Sequence, residues 1–239
     1  MVKLVAMLTS LVVSTTTLAT TQDVPIAPFK AQYNILHKGD PVGKGYRELS
    51  IQDNGLIEYS YQTKGKWMIF SDKRKETSLL ELTDNNQLIL QEYKFTRSGT
   101  GPNKKQHWQY YPNQNKAHNI VKEKEIPIDF SNGLQDKLSY HLQQRLSFID
   151  NPKQESFDHD VITTSGKIKN YRYEFVNEEE LMLPYGLVKA LKYKREVAEK
   201  ERVTYAWFAP ELDYLLVRLY QIKEGVDQFE AQLDTFELK

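Results

Sequence analysis

Apolar and polar residues alternate along most of this 239-residue chain, a pattern that predicts β-strands. The segment 171–175, YRYEF, shows the two-residue period clearly. Turn-forming residues, such as those at 53–55 and 84–86, separate the alternating segments. We therefore predict about ten to twelve antiparallel strands joined by short turns.

One segment, residues 131–150, has a helical pattern instead. Its apolar side chains recur every three or four residues and would form one stripe, comprising Leu134, Leu138, Leu142, Leu146 and Ile149. Ser131 or Asn132 can cap the helix, and Asp136 would lie in its first turns, where the helix dipole favours a negative charge. Pro152 would follow its end.

The two patterns together predict a mainly β fold in which a curved antiparallel sheet, or half-open barrel, wraps around one long helix. Such an arrangement is similar to the half-barrel of periplasmic lipoprotein carriers. This analogy concerns the fold and does not by itself assign a function.

The N-terminus has the features of a secretory signal. Lys3 precedes the apolar run 4–13, and the small-residue site at 17–19 follows it. We expect a signal peptide at 1–19, a leader at 20–28 and one β-rich domain at 29–239. The alternative is an uncleaved N-terminal anchor. The chain has no cysteine, so a lipid-modified N-terminal cysteine is excluded, and we expect a soluble periplasmic protein without a transmembrane span in its mature form.

The charge balance argues against one class of partner. The chain has 32 basic and 32 acidic residues, and proteins that bind nucleic acids usually carry a clear positive excess. We therefore expect no nucleic-acid partner.

The residues of catalytic and metal sites show no strong pattern. The five histidines lie on different predicted elements and form no metal-binding motif, and no common nucleophile motif is present. Asp158, His159 and Asp160 are adjacent, but neighbouring residues of a strand point to opposite faces. We expect no metal, cofactor or catalytic residue. An enzyme would need a cleft where a histidine meets a carboxylate, and His141 is the residue to inspect.

Three features favour a site for an apolar ligand. Strand 214–222 is apolar on both faces, so either a helix covers it or one face lines a cavity. The run 67–70, WMIF, has basic flanks and could form a rim that touches lipid, or an ordinary buried strand end. The aromatic segment 205–210 could line a pocket or form a core corner. The candidate ligand-binding residues are Tyr59, Tyr61, Trp67, Phe70, Trp207, Tyr214, Leu216 and Tyr220.

Several segments resemble a known family. They are 204–218, TYAWFAPELDYLLVR, the opening 33–45, the motif DKLS at 136–139 and LPYG at 183–186. Their order and spacing are similar to those of a family of exported bacterial proteins described as domain of unknown function 3108. The resemblance spans nearly the whole chain after the leader and implies an envelope protein. It transfers no catalytic residue, because the family has none assigned.

The function expected from these features is non-enzymatic binding or carriage of an apolar or amphipathic, lipid-like ligand. This expectation requires a cavity of some hundreds of Å³. The alternative is a structural or protein-interaction module of the cell envelope, which would have a solid core and an exposed apolar patch or an unpaired edge strand.

Overall fold

The computed structural model describes the backbone of residues 24–67 and 70–239, and the side chains of all of these except 66, 67 and 70. The expected signal peptide and the first residues of the expected leader lie outside this part. Fifteen strands make up the described fold: β1 Phe29–His37, β2 Asp40–Ile51, β3 Ile57–Trp67, β4 Phe70–Leu82, β5 Leu88–Gly99, β6 Lys104–Tyr111, β7 Lys116–Asn119, β8 Lys124–Pro127, β9 Gln135–Asp136, β10 Ser156–Ile162, β11 Ile168–Leu183, β12 Gly186–Val197, β13 Arg202–Ala209, β14 Leu215–Lys223 and β15 Val226–Leu238. One α-helix, α1 Ser139–Asp150, lies between β9 and β10.

The strands form one sheet with the order β8-β7-β6-β5-β4-β3-β2-β1-β15-β14-β13-β12-β11-β10-β9. Two meanders therefore meet where the first strand pairs with the last. All pairs are antiparallel except β9 with β10, which is parallel. The prediction of a mainly antiparallel β fold with one helix is confirmed, but the strand number exceeds the predicted range. The sheet is curved and is not closed, since β8 and β9 remain its two edges.

The predicted helix 131–150 is too long at its N-terminal end. The helix has 12 residues, because the chain turns at Gly133, whose φ is +64°, and then forms the short strand β9. Leu134 and Leu138 are nonetheless buried, at 3% and 2% exposure. Their spacing therefore reflects burial in the segment before the helix, and the sequence could not separate this from a continuous helix.

Asp136 starts the helix in a different way from the predicted cap. Its Oδ1 accepts hydrogen bonds from the backbone N–H groups of Leu138 and Ser139, at 2.8 and 2.7 Å. The Ser139 hydroxyl in turn accepts the N–H of Asp136 at 2.8 Å. These bonds satisfy backbone donors that a helix start leaves free, so neither Ser131 nor Asn132 is needed as a cap.

The helix is enclosed on nearly all sides, so the prediction of a single apolar stripe is wrong. Nine of its twelve residues are buried, including Gln143, Gln144 and Arg145. Gln143 accepts the N–H of Leu88 at 2.8 Å and donates to the carbonyl of Asn86 at 3.0 Å. Because a buried polar group is costly without a partner, these bonds fix the helix to the start of β5.

The same region brings the two halves of the sheet together. The Gln135 amide donates to the carbonyl of Leu88 at 3.2 Å, and the Trp108 indole donates to the carbonyl of Thr164 at 3.3 Å. The first contact joins β9 to β5, and the second joins β6 to the turn after β10. Side-chain contacts thus bridge the gap that the strand ladder leaves open.

An aromatic cluster forms the second half of the core. Phe148 of α1 is fully buried and lies against several rings, with centroid distances of 4.9 Å to Phe157, 5.6 Å to Tyr193, 5.3 Å to Phe208 and 4.6 Å to Tyr214. These residues come from β10, β12, β13 and the segment before β14. One helix residue therefore contacts four segments of the second meander.

In the part of the chain that the structure describes, no helix is long and apolar enough to cross a membrane.

Candidate functional site

An open cavity of about 570 Å³ lies at one end of the curved sheet. We call this region the mouth. The ends of β1, β2, β3, β4, β5 and β15 surround it. Its apolar wall consists of Ile35, Leu36, Val42 and Phe229, and polar groups on the opposite side include Asp72 and Arg97. A cavity of this volume with mainly apolar walls and a few polar groups is typical of a small-molecule site.

The space is open because a row of paired residues, one from each of the strands β1 to β5, includes three glycines. Ile35 pairs with Gly43, Gly43 with Gly65, Gly65 with Asp72 and Asp72 with Gly99. Residues directly opposite one another share a face of the sheet, and this is the face of buried Ile35. The three glycines therefore remove side chains from the inner face at the mouth.

Two of these glycines are required by the backbone, and the third is not. A Cβ at Gly43 would lie 2.2 Å from the Lys64 carbonyl oxygen, and one at Gly99 would lie 2.1 Å from that of Ser71. A Cβ at Gly65 would meet its first neighbour, the Val42 carbonyl oxygen, at 3.4 Å. Gly65 can therefore accept a side chain that would occupy the cavity.

Asp72 forms ion pairs with the guanidinium groups of Arg74 and Arg97 at the edge of the cavity. Its Oδ2 accepts hydrogen bonds from Nε and Nη2 of Arg74 at 3.0 and 2.7 Å, and its Oδ1 accepts one from Nε of Arg97 at 2.9 Å. Partial burial raises the pKa of Asp72, but these hydrogen bonds outweigh burial and hold the pKa below its ordinary value. The group is ionised at neutral pH, and the three side chains together carry one net positive charge.

The outer face beside the mouth is also basic. Lys64 and Lys73 are exposed and lie directly opposite each other on β3 and β4. Like charges in opposed positions of a sheet repel each other. Two exposed cations therefore lie beside the mouth.

A polar cluster lies inside the sheet below the mouth. Arg47 is buried at 7% exposure, donates to the Tyr59 hydroxyl at 2.8 Å and lies 5.2 Å from the centroid of the Tyr61 ring. Burial raises the pKa of Tyr61 to about 12, although Arg47 acts in the opposite direction. Tyr59 and Tyr61, two predicted ligand residues, thus surround a buried arginine and do not line the mouth cavity.

His141, the histidine singled out for a possible cleft, is buried in α1. Its Nδ1 lies 3.3 Å from Oε1 of Gln144, and its ring lies 3.9 Å from that of Tyr140. Burial, followed by the charge of Arg47, lowers the pKa of His141 well below its ordinary value. The imidazole is therefore neutral at physiological pH, and the partners that the described residues give it are an amide and a phenol.

The adjacent residues Asp158, His159 and Asp160 do not converge. Asn170 donates to Asp158 at 2.5 Å and to Asp160 at 3.3 Å, whereas the His159 ring stacks on Phe157 on the other face. Among the described residues, no group of three or more His, Cys, Asp or Glu side chains could hold a metal ion.

The remaining predicted ligand residues lie in three separate places. Tyr214 stacks on Phe148, and Leu216 accepts the hydroxyl of Tyr33 at 2.8 Å, so both belong to the core beside α1. The two-sided strand is thus covered by the helix, with Leu215, Leu216 and Val217 all buried.

Trp207 and Tyr220 lie away from the mouth cavity. The Trp207 indole donates to Glu179 at 2.5 Å, and Arg218 lies 4.6 Å from its ring. The Tyr220 hydroxyl donates to Asp227 at 2.5 Å. The side chains of Trp67 and Phe70 lie outside the described part, but their backbones pair at the tip next to cavity-lining Gly65 and Ser71. The structure therefore does not bring the eight residues into one site.

The glycine row and the arginine pair at the mouth were missed by sequence reasoning. Gly43, Gly65 and Gly99 are far apart in sequence, and only the strand register aligns them. A detectable signal was that each lies at the end of an alternating segment.

A second groove, of about 400 Å³, crosses the outer face of β15, β1, β2 and β3. Its walls combine Lys30, Arg47 and Lys64 with Glu48 and Glu237, and most of the other residues that line it are polar. The mouth cavity is the better candidate site because it has the larger volume and a mainly apolar wall.

Comparisons with known proteins identify the fold. A family model described as "Protein of unknown function (DUF3108)" matches residues 29–234. The chain is similar to the crystal structure of a beta-barrel-like protein of domain of unknown function DUF1849 from Brucella abortus, with a TM-score of 0.58 and 7% identity over 90% of this chain and 98% of that one. It is also similar to a DUF1089 family protein from Pseudomonas aeruginosa, with a TM-score of 0.39 and 11% identity over 90% and 98% of the two chains. No curated protein matched the sequence. At such low identity, the first likeness shows a shared barrel-like fold and no more.

Proposed function

The chain belongs to the family of proteins of unknown function DUF3108, and we propose that it is a periplasmic, non-enzymatic carrier for an apolar or amphipathic ligand. The family resemblance noted in the sequence is confirmed, and it assigns no activity. The proposal therefore depends on the geometry of the mouth. Its export depends on the sequence of residues 1–19, which lie outside the described part.

The observation that supports binding is the open cavity of about 570 Å³ with an apolar wall. Ile35, Val42 and Phe229 present hydrocarbon surface to this space, and burial of that surface by a ligand is favourable by roughly 25 cal/mol per Å². The neighbouring tip 67–70 carries the predicted rim residues Trp67 and Phe70, which this proposal retains as ligand contacts. An exported chain with such a site can hold a lipid-like molecule away from water.

The cavity can be tested by filling it from Gly65. Gly65→Leu is expected to weaken binding of a neutral fluorescent probe, such as N-phenylnaphthylamine, by about tenfold or more, because the new side chain takes the space of the ligand. Gln62→Leu adds the same side chain to the outer face of β3 and is expected to bind the probe like the wild type. Fluorescence titration of the three proteins gives the dissociation constants.

Equal probe binding by Gly65→Leu and wild type would contradict the location of the site. An absence of binding by the wild type, together with native mass spectra free of co-purified lipid, would contradict the carrier function itself.

A second candidate function, protein interaction, has one supporting observation. At the end of the β11–β12 hairpin, Met182 and Leu187 lie opposite each other with exposures of 76% and 58%, and Tyr185 in the turn is 39% exposed. Exposed apolar patches of this kind often contact other proteins. Crosslinking from position 182 in the periplasm, with no protein recovered, would count against this function.

A further inference from the structure

The geometry points to an anionic head group on the ligand of the mouth cavity, held by the guanidinium group of Arg97 while the hydrocarbon part lies against Ile35, Val42 and Phe229. This inference rests on the proposed carrier function and specifies its ligand class, a single-chain amphiphile with a carboxylate or phosphate.

The first argument is the charge count at the cavity edge. Asp72 lines the cavity and is bound by two guanidinium groups, so one positive charge lacks a matching carboxylate within this cluster. Asp72 engages Nε and Nη2 of Arg74 but only Nε of Arg97. A guanidinium group has five N–H donors, so Arg97 keeps donors for a second acceptor.

The second argument is the position of this charge relative to the apolar wall. Arg97 and Asp72 line the same cavity as Ile35, Val42 and Phe229. Ile35 and Asp72 belong to one cross-strand row, separated by Gly43 and Gly65. An amphiphile can therefore lie across the glycines, with its two ends on chemically opposite sides.

The third argument is the potential around the entrance. Lys64 and Lys73 are exposed and opposed on the outer face of the strands that form the mouth, and Lys104 is exposed opposite Arg97 on β6. Clustered charge of one sign attracts ligands of the other sign and repels its own. A cationic head group would meet repulsion here, and a neutral one would give the remaining donors of Arg97 no charged acceptor.

Competition with a neutral probe tests the head group directly. Dodecanoate and dodecyl phosphate are expected to displace N-phenylnaphthylamine at concentrations about tenfold or more below those needed with dodecanol, because a hydrogen bond to a charged group contributes more than a neutral contact. Dodecyltrimethylammonium is expected to be the weakest competitor. Acetate and inorganic phosphate at the same concentrations are expected to leave the probe bound, which separates an anionic amphiphile from a free anion.

Two variants that change the charge of the cavity edge in opposite directions test the roles of Arg97 and Asp72. Arg97→Gln is expected to weaken dodecanoate binding by about tenfold and to leave dodecanol binding unchanged. Asp72→Asn removes the acid that neutralises the arginines and is expected to strengthen dodecanoate binding, a gain that a purely structural role for Asp72 would not produce. Lys94→Gln removes a cation from the same strand as Arg97 at an exposed position paired with Glu92, and serves as the matched control.

The outcomes separate the two proposals. If the probe binds but all neutral and anionic competitors act equally, or Asp72→Asn weakens dodecanoate, the head-group inference is wrong and the carrier function stands. If no alkyl compound or probe binds the wild type, the carrier function itself is wrong, and the head-group inference falls with it. If Arg97→Gln does not fold, the direction of the Asp72→Asn effect still decides.

Discussion

Replacing Phe148 with alanine is expected to lower the free energy of unfolding by about 3–5 kcal/mol, as full removal of a buried aromatic ring usually does. Phe148 is fully buried and contacts the rings of Phe157, Tyr193, Phe208 and Tyr214 from four segments of the second meander. The cavity left behind cannot collapse easily, because strand pairing holds the surrounding rings. Urea unfolding followed by circular dichroism measures the loss.

Met182→Ala is the control for this experiment. Met182 is 76% exposed, so its truncation is expected to change the free energy of unfolding by less than about 0.5 kcal/mol. A loss of under about 1 kcal/mol in Phe148→Ala would show that α1 is not the centre of the aromatic cluster. Since Phe148 does not line the mouth cavity, a folded variant should still bind the neutral probe.

The long strands could be predicted because each carries its own evidence, whereas the short strands β8 and β9 could not. In β1, for example, Phe29, Ala31, Tyr33 and Ile35 are all buried, and this two-residue period is visible without any partner strand. The helix was harder to predict because the leucine spacing continues through Leu134 and Leu138, which are buried outside the helix. Burial explains the spacing of these leucines, whereas Gly133 and Asp136 determine where the backbone turns and where the helix begins.

The site could be predicted only in part, because it depends on register. The tip 67–70, with its basic flanks, lies at the same end of the sheet as the mouth cavity, and its role as a rim stays a prediction. The cavity itself comes from Gly43, Gly65 and Gly99, which align through three separate strand pairs. Conversely, Trp207 is an aromatic residue of the kind that often lines pockets, but its side chain is 2% exposed and donates a hydrogen bond to Glu179. Residue type alone could not distinguish these cases.

Asp136 gives the second large expected effect, a dependence of stability on pH. Burial raises the pKa of Asp136 from 3.8 to about 6, although backbone hydrogen bonds from Ser139 and Leu138 act in the opposite direction. The folded protein therefore binds this proton more tightly than the unfolded chain does. The contribution of Asp136 to the free energy of unfolding is present below pH 4 and is lost as the pH rises through 6. The total loss is about 3 kcal/mol for a pKa shift of this size.

Asp136→Asn isolates this contribution because asparagine keeps an oxygen that can accept the N–H groups of Leu138 and Ser139 and carries no charge. Between pH 4 and pH 7, the free energy of unfolding of the variant is expected to rise relative to the wild type by about 2–3 kcal/mol. Carboxylates with lowered pKa values, such as Asp72 and Glu92, lose stability towards low pH instead, but they are common to both proteins and cancel in the difference. Urea unfolding of both proteins at half-unit pH steps provides the measurement. Parallel curves across this range would mean that Asp136 is ionised at no cost in the folded protein, and that the hydrogen bonds at the start of α1 fully compensate its burial.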